Sequence, residues 1–557
     1  MDPPFLAFSS EILIEILSHL PQRDIVACKL TCRKLNDVIA HSFLLQYIAQ
    51  ASLAGVHDSL LPGRSTIDRS NALQGLEDAW RDLSIRQRTA KVTRVLALRG
   101  DSDDPRQPPG YSYIDLREPT AFTNTLWRKV DVPWRGRHCM FAFAANENDL
   151  AVVVTCARDE EISRAEVHCL DFLDGEPHPQ AENPDLVIDF PAPTSPHHMQ
   201  VQLTGDHIIV SCNGSPDDER QVDVLFLLRE TPPPAMTFAV GFTMISETLL
   251  AFVHMAKNAI FLYGFDGALG RVTFVRALEL PPLCDGGRLN YAHCLSEQNP
   301  VFSRHHHRHP TTSRTRRRPP PRFPFRYNPA DGVACFVLGV SLEDIPGASM
   351  TVALVVHRRA LLALASASTS TDAGARGTDE QPVSWDSWGP QAARCLEVPY
   401  WRRCGGPVGQ RWGVLAHDEL VLHDFNPHNV RRASARQQQQ HLAPAPAPGT
   451  STSTSGARGV PTRRENEAVS ENPNRTRVVT APTVLTAGLC FRGDVMTRLP
   501  YVETRAACTP RWESVLIDGE RLLGLYFKED DADAHEVDID VYLMGTSTAG
   551  ATSAAPQ

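Results

Sequence analysis

Apolar residues near the amino terminus recur at helical spacing. Ile12, Leu13, Ile16, Leu17 and Leu20 form a stripe along one side of a short helix. Ser9 or Ser10 can cap its first turn, and Glu11 lies where the helix dipole favours an anion. Pro21 stops the helix, because its ring disfavours helical geometry at Leu20 and it carries no amide proton. Asp24 is placed to cap a second helix, in which Ile25, Cys28, Cys32, Leu35 and Ile39 repeat at steps of three and four. Leu44, Leu45 and Ile48 continue the apolar pattern. So small a segment hides little of its surface. Its leftover apolar face must meet a partner or the rest of this chain.

Residues 65 to 98 also read as helical, with Leu73, Leu76, Trp80 and Leu83 spaced at three and four. From about 111 onward the pattern changes to strand-length apolar runs between turn residues. The runs are Leu150 to Cys156, Val167 to Phe172, Val201 to Leu203, His207 to Cys212, Val222 to Leu228, Leu249 to His254, Ala259 to Tyr263 and Val272 to Leu278. They go on at Val333 to Val340, Met350 to Val356, Val414 to Ala416, Leu420 to His423, Val515 to Ile517, Arg521 to Phe527 and Val537 to Leu543. Asp174-Gly175, Asn213-Gly214, Asp266-Gly267 and Asp518-Gly519 suit tight hairpins.

A loose repeat runs through this region. A turn with a charged residue (Asn148-Asp149, Gly205-Asp206, Ser246-Glu247, His417-Asp418) precedes an apolar strand. Such spacing fits one propeller blade per unit. The chain is therefore read as α+β and multidomain: N-terminal helices, then a mainly-β region forming a divergent β-propeller. A sandwich or two smaller β domains are the alternatives. No repeated Trp-Asp ending, kelch double glycine or leucine-rich spacing is present.

Several stretches lack the apolar content for a core. Gly100 to Gly110 reads as a loop. Insertions are expected near 303–326, 366–384 and 426–480, and a small-residue tail over 546–557. The first insertion combines His305, His306, His307 and His309 with Arg316, Arg317 and Arg318, and reads as a solvated loop. The organisation expected is helices over 1–50, a helical linker over 51–110, and a β region over 111–545.

The first helices, taken in order, resemble an F-box. Glu11-Ile12-Leu13, Ile16-Leu17, Leu20-Pro21, Asp24-Ile25, Cys28, Cys32-Arg33, Ile39 and Ser42 occupy that family's places in register. Ser9 replaces the usual first proline and Leu35 the usual tryptophan. The resemblance implies docking onto a Skp1-like adaptor, and through it onto a cullin and a RING protein. It also implies that Leu20, Pro21, Ile25, Cys28, Leu30, Cys32 and Leu35 meet Skp1, with part of the stripe internal. Ala79-Trp80-Arg81-Asp82-Leu83 is similar to a segment following many F-boxes in mushroom-forming fungi. Read from the residues alone, that stretch is a connecting helix with a buried Trp80.

Bulk properties narrow the function classes. With a net charge of −10 over 557 residues, bulk nucleic-acid affinity is not expected. Thirteen cysteines without paired spacing, and no signal peptide, point to a reduced cytoplasmic or nuclear compartment. No run is long and apolar enough to span a bilayer. No nucleophile elbow, phosphate loop or zinc-protease motif occurs, and Cys284, His293 and Cys294 lack a fourth partner at zinc spacing. No catalytic residue, cofactor or metal is expected.

Three function classes follow. The first is the substrate-recognition subunit of a Skp1–cullin–F-box ubiquitin ligase, holding an unidentified protein target through the β region. The second is a Skp1-binding scaffold or regulator without ubiquitylation. The third is a ligand-binding or enzymatic propeller with an unrelated helical start.

Overall fold

The computed structural model describes residues 4–544 outside several intervals. The longer of these are 59–64, 84–89, 96–109, 114–127, 213–223, 229–235, 297–324, 368–380, 443–474 and 529–535, and shorter ones fall between strands. The basic tract up to 324, Asn213-Gly214, the core of the 366–384 insertion and the tail therefore lie outside the described residues.

Four short helices open the chain: α1 (Ser10–Ser18), α2 (Gln22–Thr31), α3 (Arg33–His41) and α4 (Phe43–Ala54). The second helix expected from the sequence is two. Cys32 adopts an extended conformation (φ −156°, ψ 160°) and splits it into α2 and α3. Asp24 does not cap; α2 starts earlier, behind Pro21, and Asp24 occupies its first turn. Leu13, Leu17, Ile25, Leu35, Val38, Ile39 and Leu45 pack into one small core.

Beyond α5 (Thr66–Asp82), the described residues form six four-stranded antiparallel sheets, with smaller two-stranded ones beside them. The first holds His138–Ala144, Leu150–Cys156, Ile162–Asp171 and Asp185–Thr194; the second holds Met199–Thr204, His207–Cys212, Val224–Leu228 and Met236–Thr237. The third holds Phe242–Ser246, Leu249–His254, Ala259–Asp266 and Arg271–Glu279; the fourth holds Gly287–Leu295, Val333–Leu342, Ser349–His357 and Ala393–Glu397. In the fifth, Arg411–Ala416 and Glu419–Asp424 are followed across the sheet by Tyr501–Ala507 and then Arg475–Val479. The sixth runs Ser514–Ile517, Arg521–Lys528 and Glu536–Leu543, and its fourth strand is Ala90–Val95, supplied from before the first sheet.

This is a β-propeller. First strands of neighbouring sheets approach one another, as His138–Ala144 does Met199–Thr204 and Arg411–Ala416 does Ser514–Ile517. Apolar faces fill the spaces between sheets: Val152, Val154 and Val167 against Val210; Ile209 against Met244; Ile260 and Leu262 against Phe336 and Leu354. Val337 and Val355 meet Trp412, and Leu420 meets Val515. A hairpin of Gly110–Tyr113 with Arg128–Asp131 covers the other face of the first sheet, where Tyr111 stacks on Phe172. Burying each such side chain contributes about 1.5–3 kcal/mol.

Three sequence expectations are corrected. The stretch 51–110 is not simply a helical linker, because Val56–Asp58 and Ala90–Val95 are strands. The 426–480 insertion begins with a helix, α8 (Pro427–Leu442), and ends in the strand Arg475–Val479. Val430 of α8 is buried, and Arg, Ala and Gln, its commonest residues, all favour helix. Two further helices went unread inside the β region: α6 (Arg358–Ser366) and α7 (Trp385–Ala392).

Candidate functional site

The four N-terminal helices bury one stripe each and leave another exposed. On α1, Leu13 and Leu17 are inside while Ile12 and Ile16 remain on the surface; on α2, Ile25 is inside while Val26 and Leu30 face outward. Residues four apart share a helix face, so α1 and α2 each present an outward apolar pair. Leu30 is 82% exposed and Phe43, at the start of α4, is 65% exposed. Phe8 and Leu44 add to this apolar surface. A monomer gains nothing by solvating so many large apolar side chains on so small a domain, and such surface marks an interaction site.

The residues expected to contact a partner fall into three groups. Pro21 and Leu30 are exposed; Leu20, Cys28 and Cys32 are half-buried against the helical core; Ile25 and Leu35 lie within it. Val26, Phe8 and Phe43 were not singled out from the sequence. The signal was there: α1 and α2 carry more apolar residues than one buried stripe needs.

Ser9 takes the N-cap position of α1, but its side chain caps no amide. Backbone hydrogen bonding at Glu11 and the Ser9 hydroxyl together hold the Glu11 carboxyl below its ordinary range. Exposure leaves this with little effect on stability.

A second feature is the seam that fixes these helices to the propeller. Gly55, at φ +70°, ends α4 in the left-handed conformation that glycine tolerates best. The chain then pairs as a strand, Val56 opposite Tyr327 and Asp58 opposite Phe325. Tyr47 and Arg69 each donate to Asp58 Oδ2 at 2.8 Å. The Asn426 amide donates to the Leu53 carbonyl at 2.8 Å. Along α5, which Ser65 and Asp68 start with a reciprocal capping box, Trp80 is buried against Leu415, Leu420 and Ile517.

Arg411 sits at the centre of the seam. Its Nη2 lies 2.5 Å from Glu77 Oε2, its Nε 3.3 Å from Asp424 Oδ2, and its Nη1 donates to the Tyr327 hydroxyl at 3.0 Å. Burial disfavours its charge, yet Glu77, Tyr327 and Asp424 outweigh that and hold its pKa well above the ordinary value.

One arrangement in the propeller has the form of a nucleophile, base and acid. The Thr155 hydroxyl is 3.2 Å from His168 Nε2, and His168 Nδ1 is 2.6 Å from Asp185 Oδ1. Thr155 is fully buried, so no substrate carbonyl can reach it, and the three residues brace neighbouring strands of the first sheet. Among the described residues, no group of three or more His, Cys, Asp or Glu is placed to hold a metal, and no helix is long and apolar enough to cross a membrane.

The comparisons agree with the helical surface. The F-box-like family model matches residues 10–50. The chain carries an F-box-like domain. The matched interval spans α1 to α3 and most of α4, and contains the outward apolar pairs of α1 and α2. No curated protein matches the chain. Among solved structures, it is similar to a luciferin-regenerating enzyme at 8% identity and a TM-score of 0.22, covering 60% of this chain and 88% of that one.

Proposed function

We propose that this chain is the substrate-recognition subunit of a Skp1–cullin–F-box ubiquitin ligase. In this reading the N-terminal helices bind a Skp1-like adaptor, the propeller holds a protein target, and the chain performs no chemistry itself. The observation that carries it is the outward apolar surface of α1 and α2 within the F-box-like interval, on helices seated firmly on a propeller. The mechanism is proximity: a target held by the propeller stands at high effective concentration beside the ubiquitin carrier docked through the cullin. Such an adaptor works in the cytoplasm or nucleus, and we place the chain there.

A pull-down with a Skp1-like adaptor tests this, comparing the native chain with Val26→Asp plus Leu30→Asp. Both positions are exposed, so the variant keeps its fold. Capture by the native chain that the double substitution abolishes supports the reading. Equal capture of both, or of neither, removes it.

A further inference from the structure

We propose that Cys284 and Cys490 form an oxidation-responsive staple, closing a disulfide that ties the connection between the third and fourth sheets to a ribbon inserted in the fifth. The ribbon consists of Thr483–Leu485 paired with Val495–Thr497, and Cys490 lies between its two strands. Cys284 lies in the short connection from Glu279 to Gly287.

The register places the two cysteines opposite one another, with the Cys490 thiol donating to the Val340 carbonyl at 3.8 Å in the absence of a disulfide. Leu283 bridges Phe491 in antiparallel fashion, flanked by Cys284 N–H to Cys490 O at 3.1 Å and Arg492 N–H to Pro282 O at 3.0 Å. Counting one step along each chain makes Cys284 and Cys490 directly opposed, at a hydrogen-bonded position. Such pairs have Cα atoms about 5.5 Å apart with both side chains on one face. Disulfides span about 4.4–6.8 Å between Cα atoms. The Cα separation falls within that span, and the Cβ atoms, about 4.5–5.5 Å apart in such pairs, draw together to the roughly 3.5–4.5 Å of a disulfide as the bond closes.

Two further observations point the same way. Burial and then the neighbouring Cys284 raise the Cys490 thiol above its ordinary range. A side chain at Gly287 would crowd the Cys284 sulfur and carbonyl, and glycine there leaves room around the sulfur. The exposures also differ usefully. Cys284 is partly exposed, so an oxidant reaches it, while Cys490 is 2% exposed behind it. By contrast, Cys335 and Cys395 are wholly buried and their thiols are raised by that burial.

The chemistry needs one equivalent of a peroxide. The Cys284 thiolate attacks one peroxide oxygen; an S–O bond forms, the O–O bond breaks, and hydroxide leaves to be protonated to water. The Cys490 sulfur then attacks the resulting sulfenic sulfur. The S–S bond forms, the S–O bond breaks, and the departing oxygen takes up the Cys490 proton as a second water. Two thiols lose two electrons, and the peroxide gains them.

The consequence is local. The ribbon already rests on the fourth sheet, through Cys395 N–H to Thr497 Oγ1 at 3.0 Å and Arg394 to the Ala481 and Thr497 carbonyls. The staple adds a covalent tie at its other end.

The test treats the full native chain with hydrogen peroxide at neutral pH, then alkylates and digests it without reductant. A Cys284–Cys490 linked peptide, separated by reduction, is the expected product; oxidation of Cys284 without that link overturns the proposal. In Cys490→Ser, dimedone capture of the Cys284 sulfenic acid rises several-fold over the native chain, and unchanged capture counts against it. Hydrogen exchange at 483–485 and 495–497 slows in the oxidised native chain but not in oxidised Cys490→Ser. Equal exchange before and after oxidation overturns the staple. The peptide map needs no variant, so poor folding of Cys490→Ser would leave the proposal decidable.

Discussion

Arg411 and Glu77 meet at 2.5 Å across 334 positions of sequence, joining the first strand of the fifth sheet to helix α5. Their side chains are 5% and 13% exposed. A pair so enclosed costs desolvation to form, and removing Glu77 leaves the buried Arg411 with Asp424 and the Tyr327 hydroxyl as its remaining partners. Glu77→Ala is therefore expected to destabilise the chain by about 1.5–3 kcal/mol, read from urea unfolding. Arg411→Met alone, which leaves Glu77 and Asp424 together without a cation, costs more than Glu77→Leu with Arg411→Met. Equal losses in all three variants would refute the pairing.

Acid should weaken the fold through buried histidines. Burial pushes the His423 pKa down to about 4, with Glu503 opposing, and His423 stacks on Trp412 with Tyr501 tilted against its other side. Its folded value lies below the ordinary unfolded value of about 6.5, so the unfolded chain takes up the proton first. Stability is full above about pH 6.5 and falls as pH drops toward 4. Between pH 7 and 5 this one group removes about 2 kcal/mol. His357, also lowered to about 4, first by burial and then by Arg359, adds a similar loss. Urea midpoints measured at pH 7 and 5 should show a smaller fall in His423→Phe, which keeps the aromatic packing without the proton site. An identical fall would mean other groups dominate.

Much of the propeller was legible because its central strands are buried on both faces. Leu150 to Cys156, His207 to Cys212 and Leu249 to His254 are each the second strand of a sheet, and their apolar runs coincide with the strands observed. The loose repeat falls between the first and second strands of the first, second, third and fifth sheets, and Asp149 in the first of them has φ 55°. Outer strands were harder to read. Asp185–Thr194 contains Pro191 and Pro193, and Ala90–Val95 pairs with Glu536–Leu543, far along the chain. The helices were read as an F-box, but local periodicity could not separate core from surface along α2. Only packing shows that Ile25 is inside and Leu30 outside. The seam was invisible too: Arg411, Asp424 and Tyr327 become partners through the tertiary fold alone.

The sorting of the F-box residues has its own consequence. Ile25→Ala removes a side chain from the helical core and is expected to cost about 2–5 kcal/mol of local stability. Leu30→Asp changes an exposed position and stays within about 0.5 kcal/mol. Hydrogen exchange across residues 10–50 separates the two. Strong loss of protection in the second variant would show that Leu30 has a structural role.

Gly409 links the seam to a single methyl group. Its φ of +55° is one that other residues adopt with strain, and a side chain there would collide with the ring of Tyr327. That ring cannot simply yield, because its hydroxyl accepts from Arg411 and its strand pairs with Val56. Gly409→Ala thus combines backbone strain with overpacking, each typically about 1–3 kcal/mol. Gly493 provides the control, since a methyl there meets nothing within 4 Å. Thermal unfolding should show a clear drop for Gly409→Ala and almost none for Gly493→Ala. Adding Tyr327→Leu to Gly409→Ala relieves the collision but leaves Arg411 without its hydroxyl partner, so the combined loss falls short of the sum of the two single losses. Strict additivity would mean that Gly409 and Tyr327 do not press on one another.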